Sequence, residues 1–98
     1  PMNMADGILL CRGKGNKDWN YSAPHGAGRL YSRSEAKERL SMDVFKAQMS
    51  NVYSTSVCEG TLDESPMAYK NVQEIKELIE PTVEIVDTIV PLINIKAV

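Results

Sequence analysis

The sequence predicts a small α+β fold, short strands with about three helices, and three observations point there. A glycine-bounded apolar run, GILLCRG, reads as a strand. Ser32, Ser41 and Asn71 each precede a stretch of helix formers, where an N-cap belongs. The tail from Thr82 is dense in β-branched residues and interrupted by Pro91, which favours extended structure at a sheet edge. A chain of 98 residues has room for one small domain of modest core. No repeat or linker divides it, so 1–98 is expected to be a single unit, and its opening on Pro1 rather than Met points to a piece of something longer.

Taken in order, the residues from Gly7 to Gly13 form an apolar run short enough for a buried strand. GKGNKDWNYSAPHGAG follows, a glycine-, asparagine- and proline-containing loop whose bare backbone lets a ligand approach. Lys14 in GKGN reads as part of a solvated turn, because the P-loop spacing is missing. Trp19 and Tyr21 either anchor this loop in the core or offer a stacking surface to bases. Ser32 with Glu35 three residues on is a capping-box pattern before EAKERL. Ser41 begins a second helix with Asp43 in its first turn and Val44, Phe45 and Met49 as its apolar face. NVYSTSV reads as a strand and EGTLDESP as a turn-rich loop. Asn71 caps a helix through VQEIKELI that must stop near Glu80, ahead of Pro81.

Composition narrows the chemistry. A net charge of −2 excludes a uniformly basic nucleic-acid binder and leaves room for a local positive patch. Cys11 and Cys58 lie far apart without a CxxC spacing, which suits reduced thiols in a cytoplasmic protein. No apolar run is long enough to span a bilayer. One histidine and two separated cysteines give no metal-ligand pattern, so no metal site is expected within the chain.

The single histidine, His25, precedes Gly26, Ala27 and Gly28. Glycines there can turn backbone N–H groups toward an anion, as phosphate nests do. Arg29 and Arg33 follow and can pair phosphate oxygens through forked hydrogen bonds. Imidazole is largely neutral at pH 7 and offers a free nitrogen as nucleophile or base. These residue types favour phosphoryl or nucleotidyl transfer; a structural or merely exposed histidine is the plain alternative.

The stretch SAPHGAGRLYSRSEA, with RGKGNKDWNYSAP before it, LDESPMAYKNVQEI after it and PLINIKA near the end, resembles the C-terminal part of RtcB-type RNA ligases. The resemblance implies a GTP- and manganese-dependent enzyme joining an RNA 3′-phosphate or 2′,3′-cyclic phosphate to a 5′-hydroxyl, in tRNA splicing or RNA repair. By that resemblance His25 is the histidine that becomes guanylylated, and Gly26, Ala27 and Gly28 contact the GMP. Pro1, Met2, Asn3 and Met4 match a guanosine-contacting segment that more often reads Pro-Gly-Ser-Met. Ile8 stands where a guanine-contacting serine is common, and isoleucine cannot make that hydrogen bond. Lys96 matches a near-terminal lysine that reaches guanine, and Tyr69 either lines the base pocket or has a plain core role. The manganese ligands of such enzymes lie in a preceding portion, so the isolated chain is expected to be inactive. RNA ends are the implied substrate and an archease-type protein the implied activator. A non-catalytic nucleotide- or RNA-binding module and a self-associating fragment are the competing readings.

Overall fold

The computed structural model describes residues Pro1–Val98. Five elements carry the architecture: β1 (Ile8–Gly13), α1 (Arg33–Arg39), α2 (Met42–Gln48), α3 (Val72–Ile79) and β2 (Val83–Ile89), with 3-10 turns at Lys17–Trp19, Glu59–Glu64 and Pro66–Ala68. The fold is α+β. β1 and β2 form a two-stranded antiparallel sheet in which Ile8 faces Ile89 and Gly13 faces Val83. The pairing steps from Leu10–Asp87 to Cys11–Ile85, leaving Val86 as the extra residue of a bulge. No helix is long and apolar enough to cross a membrane.

The helices begin where their caps stand. Ser32 Oγ accepts from the Glu35 amide at 3.2 Å and bonds the Glu35 carboxylate at 3.0 Å. Ser41 accepts from the Val44 amide. Asn71 accepts from the Gln73 and Glu74 amides, and α3 closes at Glu80 before Pro81. Lys14 does more than solvate a turn: its ammonium donates to the Glu80 carbonyl at 2.6 Å and carboxylate at 2.9 Å. A cation on the last carbonyls of a helix satisfies groups the helix itself leaves free.

Two apolar clusters hold the chain together. Phe45, Met49, Val52, Leu62 and Met4 form one; Met2, Ala27 and Ile75 form the other. The first segment therefore straddles both, with Met2 in one cluster, Met4 in the other and Asn3 turning between them. Asn3 Oδ1 accepts from the Ala5 and Asp6 amides, and Gly7 returns the chain into β1.

The structure corrects four expectations. β1 is mostly exposed rather than buried, because only one strand pairs with it and little packs on its faces. Val44 is 44% exposed, so the buried face of α2 is Phe45 with Met49. Residues 51–57 form no strand; a single parallel bridge joins Tyr53 to Ile93. The serines explain this: Ser54 Oγ takes the Ser56 amide at 3.1 Å, which competes with a backbone ladder. Trp19 and Tyr21 are 44% and 69% exposed and anchor no core.

Candidate functional site

The turn after His25 is held from below and from one side. Ala27 is buried between Met2 and Ile75, so its methyl fixes the turn to the core. The Gly28 carbonyl accepts from the Lys70 amide at 3.1 Å, and the Leu30 amide donates to the Ala68 carbonyl at 2.8 Å. Gly28 itself has φ +75°, a left-handed conformation that glycine adopts without strain. The backbone N–H groups of Gly26, Ala27 and Gly28 donate to no other group of the chain. Three amides along a fixed turn are the elements of an anion nest.

Around this turn lies a cleft of about 440 Å³. Its wall is made by Pro1, Met2, Asn3, Met4 and Gly7 on one side, Gly26 to Gly28 on another, and Ile8, Tyr69, Pro91, Ile93, Asn94 and Lys96. Pockets of this size accept a nucleotide-sized ligand. His25 lines an adjoining apolar cavity of about 250 Å³ that shares Pro1, Met2, Ile8 and Gly26 with the cleft. The imidazole is exposed and forms no hydrogen bond within the chain.

The two arginines face other work. Arg29 donates to the Tyr31 carbonyl at 2.9 Å, the Asp63 carbonyl at 2.5 Å and the Tyr69 hydroxyl at 3.2 Å. Arg33 pairs with Asp63 and Glu64, each at 2.7 Å. Both guanidinium groups are engaged in a network behind the cleft, and neither lines it. Within that network burial pushes the Glu64 carboxyl up, but hydrogen bonds from Tyr69 and Arg33 and the charge of Lys96 outweigh it and hold it below its ordinary range. Burial and the Glu64 carboxylate together push the Tyr69 phenol up. The carboxyl of Asp63 is likewise held low: Arg33 and a backbone amide outweigh its burial.

No three His, Cys, Asp or Glu side chains are grouped to hold a metal ion. The residues present do not fit a manganese site.

Sequence comparison decides the family. The family profile described as "RtcB: tRNA-splicing ligase RtcB" matches residues 1–97. The chain belongs to the RtcB family. Among curated relatives, RNA-splicing ligase RtcB of Escherichia coli strain K12 is 31% identical over 96 residues, covering 98% of this chain and 23% of that protein. The tRNA-splicing ligase RtcB of Aeropyrum pernix is 34% identical over 83 residues, 80% of this chain and 17% of its own length. The chain thus spans less than a quarter of the relatives it matches.

Of the residues singled out by sequence, Pro1 to Met4, Ile8, Gly26 to Gly28, Tyr69 and Lys96 meet in one cleft, with His25 beside it. Gly7, Pro91, Ile93 and Asn94 line the cleft without having been singled out. Pro91 reads in sequence as an interruption that favours extended structure, and Ile93 as part of the apolar tail. Asn94 gave no local signal, yet it carries a buried amide oxygen without a partner in the chain.

Proposed function

We propose that this chain is the nucleotide-holding part of an RNA ligase, in which His25 attacks the α-phosphate of GTP. An imidazole nitrogen forms the bond to phosphorus as pyrophosphate leaves, so the histidine carries GMP. GMP then passes to an RNA 3′-phosphate, and a 5′-hydroxyl displaces it to close the strand. The observation that supports this most is the fixed Gly26–Gly28 turn, with its uncommitted amides, between His25 and the cleft. Such amides hold phosphate oxygens while charge develops in transfer. The relatives' names, RNA-splicing and tRNA-splicing ligase, support the ligase part of this reading.

In the cleft, Tyr69 offers an aromatic face and Lys96 an ammonium donor to a base, while Pro1, Met2 and Ile8 supply apolar wall. Asn3 spends its carboxamide on the turn to Asp6. Manganese belongs to the same reading, with ligands from polypeptide outside residues 1–98, as does an RNA substrate. The unit is then part of a larger domain, which agrees with a sheet left open on both faces.

The test is the protein in its full natural length, incubated with labelled GTP and manganese and then denatured. A covalent GMP adduct mapped to His25 by mass spectrometry, absent in His25→Ala, is the expected result. Undiminished labelling of His25→Ala removes His25 from the nucleophile role. Residues 1–98 alone are expected to gain no GMP, because metal ions that stabilise the leaving pyrophosphate have no ligands there.

A further inference from the structure

The segment after Pro91 has little to hold it by burial: Leu92 is 80% exposed and Ile95 78%. Nevertheless Lys96 is fixed at both ends. Ser56 Oγ accepts from the Lys96 amide at 3.0 Å and donates to the Lys96 carbonyl at 3.1 Å, so one hydroxyl closes on both main-chain groups of one residue. Ser56 is buried, its amide held by Ser54 Oγ and its carbonyl by the Thr61 hydroxyl, which leaves the clamp little room to shift. At the far end, the Lys96 ammonium lies 3.7 Å from Glu64 Oε2. The same carboxylate receives the Tyr69 hydroxyl at 2.5 Å and Arg33 at 2.7 Å. Ser56 and Glu64 do not line the cleft, whereas Lys96 and Tyr69 do.

From this geometry we infer that Ser56 and Glu64 are positioning residues that hold Lys96 at the cleft and thereby set a preference for guanine over adenine. The inference rests on the reading of the cleft as a GMP site. A lysine on its four-carbon stem loses rotamer freedom when it binds, and fixing both ends beforehand removes part of that loss. Direction matters as much as affinity. Guanine presents a carbonyl acceptor where adenine presents an amino donor, so a donor held at that edge favours one base and repels the other. A lysine free to swing away would do neither.

The experiment measures GMP and AMP dissociation constants by calorimetry on the full-length protein. Lys96→Ala is expected to reduce the GMP-to-AMP preference by about tenfold, the scale of one good base-edge contact. Ser56→Ala and Glu64→Gln should each remove part of that preference by weakening GMP binding without weakening AMP binding, and neither should lower the preference further when added to Lys96→Ala. Loss of affinity for both nucleotides alike would mark a merely structural role and overturn the inference. So would a wild-type preference in folded Ser56→Ala and Glu64→Gln. Should Ser56→Ala fail to fold, the near-isosteric Glu64→Gln carries the same test. A wild-type protein without guanine preference, or one indifferent to Lys96→Ala, overturns the reading of the cleft itself and the inference with it.

Discussion

Arg29 and Tyr69 are joined three ways: by an antiparallel backbone bridge, by the guanidinium lying 5.0 Å from the ring centroid, and by a hydrogen bond to the phenol oxygen. The pair locks the segment leaving the His25 turn to the one that places Tyr69 in the cleft. Lysine cannot reproduce the planar fork that also reaches the Tyr31 and Asp63 carbonyls. Arg29→Lys is expected to destabilise the protein by about 1–3 kcal/mol, since it leaves part-buried acceptors unpaired. Urea unfolding measures it; a change inside experimental error would show the fork to be ornamental.

Acid should loosen this network. Asp63 and Glu64 have pKa values below their ordinary 3.8 and 4.5, so the folded state binds their protons less readily than the unfolded chain. Their contribution to stability is then complete above about pH 5 and disappears as pH falls through the depressed values. The double variant Asp63→Asn, Glu64→Gln should start less stable and lose less between about pH 5 and pH 2. Thermal unfolding across that range checks the sign; parallel curves for variant and wild type contradict it.

Alkali tests the same carboxylate from the other side. Burial and Glu64 raise the Tyr69 phenol above the ordinary 10.0, so its ionisation should need a higher pH than that of a free phenol. In Glu64→Gln the Tyr69 resonance is expected to titrate nearer the ordinary value, followed by NMR of labelled tyrosine. An unmoved titration would mean that the hydrogen bond from Tyr69 to Glu64 is not kept in solution.

Gly7 is the most tightly enclosed glycine of the chain. A Cβ there, at φ +84°, would lie 2.0 Å from the Ile89 carbonyl oxygen. Gly7→Ala should cost more than about 1 kcal/mol, because the backbone must shift where β1 meets β2. Since Gly7 also lines the cleft, nucleotide binding should weaken in step. A variant as stable as wild type would argue against this register.

His25 and Phe45 should separate function from stability. His25 is exposed and makes no internal hydrogen bond, so His25→Ala is expected to change stability by less than about 0.5 kcal/mol. Phe45 is completely buried at the centre of the larger cluster, and Phe45→Ala should cost about 3–5 kcal/mol. Denaturant midpoints for the two variants decide it; a large loss in His25→Ala would give the imidazole a structural role.

What the sequence alone determined is local. Ser32, Ser41 and Asn71 cap the helices they announce, and Pro81 follows the end of α3, because caps and prolines act on amides within four residues. The α+β class and the extended character of the tail were legible for the same reason, as was His25 beside a glycine turn. Tertiary structure decided the rest. The apolar run of β1 reads as buried, but burial depends on what packs over a strand, and only β2 pairs with it. Arg29 and Arg33 read as phosphate partners, yet, the Tyr31 carbonyl apart, the carboxylate and carbonyl oxygens that engage them lie 30 or more residues away. Ser56 gave no signal at all: its partner Lys96 is 40 residues distant, and a serine gains that bond only once the tail has folded back along Tyr53. Pairings of that range are set by which surfaces the whole chain can bury and satisfy together, which no short window of sequence records.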